Sequence, residues 1–315
     1  MLKKKNYSDQ SAKAQNAKAQ IKMTTSDKVM NIGFYLFILI FSVLCVIPFL
    51  LVVSSSFTQE QALTTYGYSI WPREFSLDAY KLVAVSSDIP QAYLVTIGTT
   101  CVGTFLSMAL TCGVAYAMSV KNFKSRTVLA LFIYFTMLFN GGLVATYLLI
   151  TKTLHLENSL LVLVIPSLCN AWNILLMRNF FNGIPEALAE SAKIDGANDL
   201  VILVKIILPI SLPGIATIGL FYALSYWNEW YRCLLYIDTN HSQYYTLQYL
   251  IQRILRQVNY AANQPAEAVG LTAMTLPTYA YRMATVVVST GPIILLYPFL
   301  QKYFVQGLTV GSVKG

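Results

Sequence analysis

The chain has 315 residues, of which 56% are apolar and only 11% are charged, and its mean hydropathy is +0.56. Soluble domains carry about 25% charged residues, so this chain has too little charge to cover a water-facing surface. The composition therefore argues against a water-soluble enzyme, a disordered chain and a disulfide scaffold. The net charge of +8 is interpreted first through membrane topology, because the chain is so apolar. We do not expect nucleic acid as a partner.

The reactive side chains exclude several kinds of chemistry. The five cysteines form no CxxC pair and the two histidines lie far apart, so no metal site is predicted. Neither a GxxxxGK[ST] loop nor a GxSxG elbow is present. We therefore expect no cofactor on this chain and no catalytic residues, and any ATP must bind to another subunit.

A first membrane-spanning helix is predicted at about 32–53, a charge-free run of 22 residues. At 1.5 Å per residue it reaches about 33 Å, enough for a hydrocarbon core of about 30 Å. A signal peptide is the alternative, but the apolar run is too long and its polar leader too extended. Residues 1–28 form a predicted cytoplasmic tail that is either mobile or a basic amphipathic helix on lipid.

Five more charge-poor segments predict an all-α integral membrane protein with six spans in a permease domain over 29–315. They lie at about 92–120, 127–150, 159–177, 211–230 and 279–304. In this topology 15 of the 22 basic residues fall on the side of the two termini. The positive-inside rule then places both termini in the cytoplasm of a multi-pass cell-membrane protein.

The external segment 231–278 contains an amphipathic helix. Its apolar residues recur at helical spacing, at Leu247, Leu250, Ile251, Ile254, Leu255 and Val258. Such a helix either lies at the lipid interface, packs on the bundle or receives an external partner.

The cytoplasmic loop over 179–210 carries the signals of two short helices. Pro185 suits a first helical position, Glu186 favours the helix start, and Gly196 is placed to end the helix in a left-handed conformation. Asn198 is a predicted cap for a second helix. Ile184, Leu188 and Ala192 are expected to share one face of the first helix.

The same loop matches a spaced pattern. Glu190, Ala192 and Gly196 are followed by Ile206, Leu208 and Pro209 in the spacing EAA-x3-G-x9-I-x-LP, with Ser191 in place of the middle alanine. This pattern resembles the EAA loop of ABC-importer permeases, and AKIDGA at 192–197 is similar to that of carbohydrate importers. NGGLVATYLLI at 140–150, YWNEW at 226–230 and the ending at 298–315 also resemble the maltose-type family, above all its Gram-positive oligosaccharide and polysaccharide-fragment subgroup.

The resemblance implies a permease subunit that imports a carbohydrate. Its implied partners are a second, homologous permease, two cytoplasmic ATPase subunits that bind ATP and Mg, and an extracellular substrate-binding lipoprotein. The coupling residues implied for the ATPase contact are Glu186, Glu190, Ser191, Ala192, Asp195, Gly196, Ile206, Leu208 and Pro209. In the family the C-terminal segment can also approach the ATPases, which adds Gly307, Gly311 and Lys314.

Polar and aromatic residues inside apolar spans mark either helix contacts, an interfacial belt or a water-filled path. Aromatic rings beside amide groups suit the faces and hydroxyls of sugars. The candidates for a substrate path are Asn140, Asn170, Trp172, Asn173, Tyr226, Trp227, Asn228 and Glu229.

Three other classes of protein stay open at this point. An ABC permease for an amino acid, peptide or ion would share the EAA loop, and the sugar assignment then depends on the wider resemblance. An ion-coupled secondary transporter would need acids or histidines in mid-membrane, where these spans lack charge. A membrane enzyme would need an acid, base and nucleophile set that is missing here.

Overall fold

A computed structural model describes residues 25–85, 88–262 and 279–294. Its described backbone is helical apart from turns and one antiparallel bridge between Thr58 and Phe75. The chain forms two compact units, residues 1–51 and 52–315. In chain order the helices are α1 Thr25–Ser56, α2 Glu60–Tyr66, α3 Asp78–Val85, α4 Asp88–Ser119, α5 Arg126–Leu138, α6 Gly142–Thr153, α7 Leu161–Ser167, α8 Ala171–Asn182, α9 Glu186–Ile194, α10 Asp199–Ile210, α11 Leu212–Trp227, α12 Tyr231–Tyr236, α13 Leu247–Ala262 and α14 at 279–294.

Helix α1 contains the predicted first span and is longer than predicted. It runs for 32 residues and begins at Thr25, so the last four residues of the predicted tail are already helical. Residues 1–24 of that tail lie outside the described residues. The side chains over 32–41 are exposed and apolar apart from Gly33, as expected of a helix whose surroundings are hydrocarbon or another apolar surface.

Helix α4 confirms the second predicted helix and is the central element of the second unit. It packs against α8, α11 and α13. A stripe of small and hydroxylated residues on its buried face allows this close approach. The stripe consists of Thr96, Thr99, Gly103, Ser107 and Thr111, which recur at the three- and four-residue spacing of one helix face.

The predicted span over 127–150 is not one straight helix. It divides into α5 and α6, which meet at 113°. The break falls at Asn140, Gly141 and Gly142, where Gly142 has a φ of +79°. The Asn140 side chain caps α6 by accepting a hydrogen bond from the Gly142 backbone N–H at 2.8 Å. Helix α5 ends at Leu138 because Phe139 is extended, with φ −117° and ψ 116°, and α6 then begins at Gly142, whose left-handed φ suits glycine.

Two further segments are also broken, here beside prolines. The predicted span over 159–177 divides into α7 and α8, bent by 51°, at a turn that contains Pro166 and ends at the α8 cap, Asn170. Helices α10 and α11 meet at 88° around Ser211. Proline lacks an N–H and clashes with the preceding turn, so each break has a local cause.

Within the described residues, α1 and α4 can each cross a membrane alone by length and composition, and the three bent pairs raise the number of possible spans there to five. The predicted last span, 279–304, is described only over 279–294, as α14.

The predicted amphipathic helix is α13, and its apolar face packs on the bundle. Leu247, Leu250 and Ile251 are at most 5% exposed and join a cluster with residues of α4 and α14. The side chain of Thr96 on α4 accepts a hydrogen bond from the Leu247 backbone N–H at 2.8 Å. The sequence left three roles open for this helix: lying at the lipid interface, packing on the bundle or receiving an external partner. The apolar face of α13 packs on the bundle.

A carboxylate from the segment between α1 and α4 caps α14. Glu60 accepts hydrogen bonds from the backbone N–H groups of Tyr279 and Ala280 at 2.9 to 3.0 Å. A negative group at a helix N-terminus satisfies free N–H groups and complements the helix dipole. The contact fixes the start of α14 against α2.

The Gly103 position tests how tightly α4 and α11 pack. A Cβ at Gly103 would lie 2.6 to 2.8 Å from three ring atoms of Tyr226. We expect Gly103→Ala to destabilise the fold by about 1–3 kcal/mol through overpacking. The midpoint of thermal unfolding of the purified protein in detergent measures this effect.

Gly113→Ala is the matched control. Gly113 lies on the same helix, and a Cβ added there would meet no atom within 4 Å, while alanine is the better helix former. Its unfolding midpoint should equal or exceed that of the wild type. Equal midpoints for the two variants would contradict the packing argument.

Candidate functional site: a projecting helix and a polar cavity

The projecting helix α9 has the ends that its sequence predicts. It runs over Glu186–Ile194, and Pro185 stands immediately before it as the capping residue, one position earlier than predicted. Gly196 has a φ of +82°, which confirms the predicted left-handed end. The backbone N–H of Ala197 then bonds to the Ala192 carbonyl at 2.9 Å, so the orphan carbonyls of the last turn are satisfied.

The second predicted helix of the loop is also present. Asn198 caps α10 by accepting a hydrogen bond from the Val201 backbone N–H at 2.8 Å. Helix α10 runs on through a π-helical turn, Leu203–Ile207, to Ile210. Gly196 and Asn198 therefore define a turn that holds α9 against α10.

Helix α9 packs through part of the face that the sequence predicted. Ala189 and Ala192, with Ile184 ahead of the helix, contact a core cluster that includes Phe181 of α8. Leu188, the third residue predicted for that face, is 43% exposed.

The outward face of α9 combines small, apolar and acidic groups. Ile194 is 87% exposed and Leu188 is 43% exposed, and Glu190 and Ser191 are exposed beside them. The Ser191 hydroxyl donates to the Ala187 carbonyl at 2.8 Å, which satisfies it within the helix. Exposed large apolar groups next to a charge are typical of a protein-binding surface.

Two ion pairs fasten the ends of α9 to the rest of the second unit. Glu186 in the first turn pairs with Lys121, which follows α4. Lys193 in the last turn pairs with Asp199 of α10 at 2.9 Å. Glu186 is thus engaged within this chain, whereas Glu190 is exposed and borders the pocket between α9 and the ends of α4 and α8. Exposed pairs of this kind contribute at most about 1 kcal/mol each, so they orient the helix more than they stabilise it.

The other predicted coupling residues are divided between surface and core. Asp195 and Pro209 are exposed, while Ile206 and Leu208 are partly buried. Leu208 packs on the same cluster as Ala189 and Ala192. Gly307, Gly311 and Lys314 lie outside the described residues.

A polar cavity of about 580 Å³ opens at the break between α7 and α8. Three predicted path residues line it, and Trp172 among them is 61% exposed. The lining residues are Pro166, Ser167, Cys169, Asn170, Trp172, Asn173, Phe221, Tyr222, Ser225 and Arg232. An exposed indole beside amides and hydroxyls can stack on a sugar ring and hydrogen-bond to its hydroxyl groups.

Two tyrosines of α11 satisfy the backbone polar groups freed by this break. The Tyr222 hydroxyl accepts a hydrogen bond from the Asn170 backbone N–H at 3.2 Å and bonds to Thr111 of α4 at 2.8 Å. The Tyr226 hydroxyl donates to the Val164 carbonyl at 3.2 Å and contacts Ser107 of α4 at 2.9 Å. The irregular backbone is therefore held from α4 through α11.

The structure does not bring the remaining path candidates into the cavity. Asn140 caps α6, Tyr226 is 1% exposed, and Trp227 is buried with its indole N–H on the Ser289 carbonyl at 3.3 Å. The exposed Asn228 donates to the Leu224 carbonyl at 2.9 Å. Tyr226 and Trp227 are therefore helix contacts, which is one of the roles that the sequence left open.

Sequence reasoning missed Cys169, Tyr222, Ser225 and Arg232 as lining residues. Part of the signal was present, because Tyr222 precedes Ser225 by three positions, as on one face of α11, whereas Cys169 lies in the turn before α8. Arg232 carried no such signal, since it follows the predicted span and was counted as an external charge.

The chain is similar to known transport proteins over nearly its whole length. It is 39% identical over 289 residues to the polygalacturonan/rhamnogalacturonan transport system permease protein YtcP of Bacillus subtilis, covering 92% of this chain and 99% of that protein. It is 36% identical to Protein LplC of the same organism, covering 93% and 97%. Among solved structures, a bacterial ABC transporter involved in the import of the acidic polysaccharide alginate has a chain with a TM-score of 0.78 and 31% identity, covering 90% of this chain and 99% of that chain.

A family model described as the binding-protein-dependent transport system inner membrane component matches residues 109–310. The matched region contains both the projecting helix α9 and the polar cavity. The chain therefore belongs to this family of membrane permease components, whose ATPase activity resides in separate subunits.

Proposed function

We propose that this chain is the permease subunit of an ABC importer that carries an oligosaccharide into the cytoplasm. The observation that carries the proposal is the polar cavity at the α7–α8 break, with the exposed Trp172 ring beside the Asn170 and Asn173 amides. The names of its relatives support a sugar, because YtcP is named for polygalacturonan and rhamnogalacturonan, and two further relatives, from Halalkalibacterium halodurans and Bacillus subtilis, for arabinooligosaccharides.

The proposed topology has six spans with both termini in the cytoplasm. The basic residues support it, since 15 of 22 fall on the side of the termini. In this arrangement α9 and the EAA loop over 179–210 project on the cytoplasmic side, and α13 lies on the external side. The bent pairs α5–α6, α7–α8 and α10–α11 contribute to the path because irregular backbone in a membrane must be buried in protein or line a cavity.

The proposed partners occupy both sides of this bundle in the lipid bilayer. A homologous permease completes the translocation path, an extracellular binding lipoprotein delivers the sugar, and two ATPase subunits bind ATP and Mg. Helix α9 inserts into a groove on one ATPase, with the exposed Leu188 and Ile194 supplying apolar contact and Glu190 facing a basic group of the ATPase. Gly196 and the C-terminal Gly307, Gly311 and Lys314 belong to the same proposed contact.

The packing suggests how a movement of α9 reaches the substrate. The cluster that holds Ala189 and Ala192 also contains Met177 of α8 and Tyr222 of α11, and Tyr222 lines the cavity. Close-packed side chains transmit displacement because they have little free volume. Closure of the ATPase dimer would therefore shift both cavity walls together.

Reconstitution of the assembled transporter tests the proposed function directly. Proteoliposomes that contain the complex should accumulate a labelled oligosaccharide only when the binding protein is outside and ATP is inside. Import of an amino acid, peptide or ion with no import of any saccharide would replace the sugar assignment by the other ABC class. Uptake that follows an ion gradient without ATP would overturn the ABC assignment.

The projecting helix yields a second expected outcome. Gly196→Asp adds a side chain at the left-handed residue that ends α9 and places a negative charge at a helix C-terminus, where the helix dipole disfavours it. Glu190→Lys reverses an exposed charge without touching the core. Both variants should insert into the membrane, lose sugar uptake and fail to retain the ATPase on purification.

Gly67→Asp is the matched control for this test. Gly67 also has a positive φ, of +73°, and a Cβ added there would likewise meet no atom within 4 Å, but it follows α2 rather than α9. The control variant should keep the ATPase. Normal uptake by Gly196→Asp or Glu190→Lys would contradict the assignment of α9.

The cavity can be tested through its own cysteine. Cys169 lines the cavity and is exposed, whereas Cys112 of α4 is buried. In single-cysteine variants that keep either Cys169 or Cys112 and replace the other four cysteines, a membrane-impermeant methanethiosulfonate should modify Cys169 at least about tenfold faster than Cys112, because Cys169 is exposed and Cys112 is buried. A transported oligosaccharide should slow the reaction at Cys169, and equal rates for the two thiols would argue against a water-filled path.

A further inference from the structure

One charged side chain lines the polar cavity. Among its lining residues Arg232 carries a charge, while the others are neutral polar, aromatic or apolar groups. The Arg232 side chain is 24% exposed, so its guanidinium is partly withdrawn from water. An arginine in such a place costs free energy unless it is paired, and it is strongly attractive to an anion because the surroundings screen charge poorly.

Glu229 pairs with Arg232 without being a lining residue itself. One carboxylate oxygen, Oε1, accepts the Arg232 backbone N–H at 2.8 Å, and the other, Oε2, accepts Nη1–H at 2.5 Å. The Glu229 side chain is only 10% exposed. The same Nη1 lies 3.5 Å from the Leu163 carbonyl oxygen of α7. Glu229 therefore neutralises the arginine and fixes its direction at the edge of the cavity.

With these contacts made, Arg232 can still donate hydrogen bonds to a further acceptor. Both side-chain contacts involve Nη1, whereas a guanidinium has five N–H donors spread over three nitrogens. Its planar fork matches the two oxygens of a carboxylate and binds them in a bidentate way. Neutral hydroxyl groups would use only part of this donor set.

We infer that Arg232 selects saccharides that bear a carboxylate, so that the transported class is acidic oligosaccharides with uronate residues. This inference rests on the proposed function, in which the cavity is the sugar path. The ring of a uronate unit would stack on Trp172, its hydroxyls would bond to the Asn170 and Asn173 amides, and its carboxylate would meet the Arg232 fork. When no substrate is bound, Glu229 stays paired with Arg232, so the arginine charge at the edge of the cavity is compensated.

The experiment compares an acidic sugar with its neutral counterpart on the assembled transporter in nanodiscs. The probes are a tritiated oligogalacturonide and the same oligomer with its carboxyl groups reduced to primary alcohols. Binding is measured without the binding protein, so that the selectivity of that protein does not contribute. The wild type should bind the acidic probe at least about tenfold more tightly than the reduced probe, because the reduced probe lacks the carboxylate that would pair with Arg232.

The double variant Glu229→Gln with Arg232→Gln removes both charges and leaves no unpaired buried ion. It should weaken binding of the acidic probe at least about tenfold and change binding of the neutral probe less than about twofold. Arg232→Lys keeps the charge but loses the fork, and should give an intermediate affinity for the acidic probe. Arg253→Gln is the control, because Arg253 stacks on Tyr245 near α13 and does not line the cavity.

The outcomes separate this inference from the function on which it rests. If the double variant weakens both probes equally, Arg232 is a structural residue and the inference fails. If the wild type binds both probes equally, the inference also fails while oligosaccharide import stands. If the wild type binds neither probe and the complex imports no saccharide, the proposed function itself is overturned.

Discussion

The architecture depends on how the backbone polar groups freed at the α7–α8 break are satisfied. In hydrocarbon an unpaired N–H or C=O costs several kcal/mol, so a helix can be interrupted only where protein groups replace the lost bonds. Tyr222 and Tyr226 supply those groups at the Asn170 N–H and the Val164 carbonyl. Both hydroxyls also bond to α4, at Thr111 and Ser107. The irregular backbone beside the polar cavity is thus held by two tyrosines of α11, whose hydroxyls are also bonded to α4.

Small residues on α4 make this arrangement possible. A Cβ added at Gly103 would lie too close to the Tyr226 ring, so only glycine fits there without a shift. A Cβ added at Gly214 of α11 would likewise lie too close to the Phe180 ring. Membrane helices gain little from the hydrophobic effect between them, because lipid tails are as apolar as their side chains. Close van der Waals contact and hydrogen bonds between helices must therefore supply much of the association energy. The hydroxyl pairs of α4 and α11 combine both contributions.

Three of the ion pairs lie either at α9 or at the edge of the cavity. Two exposed pairs, Lys121 with Glu186 and Lys193 with Asp199, set the position of α9. One withdrawn pair, Glu229 with Arg232, borders the cavity. The core cluster that joins α9 to α8 and α11 lies between these sites. The same packed cluster thus contacts α9 and, through Tyr222, a wall of the cavity.

The sequence by itself determined the features that depend on neighbouring residues. The long apolar runs specified α1 and α4, Gly196 and Asn198 specified the turn after α9, and the spacing from Glu190 to Pro209 indicated the family. The tertiary structure decided where the apolar spans break, which face of α9 is buried, and that Tyr226 is a helix contact whereas Arg232 borders a cavity. Those outcomes rest on contacts between residues far apart in the chain, such as Ser107 with Tyr226 and Arg232 with Leu163. Local periodicity carries no information on which distant backbone group a side chain will meet, so only the folded chain could reveal them.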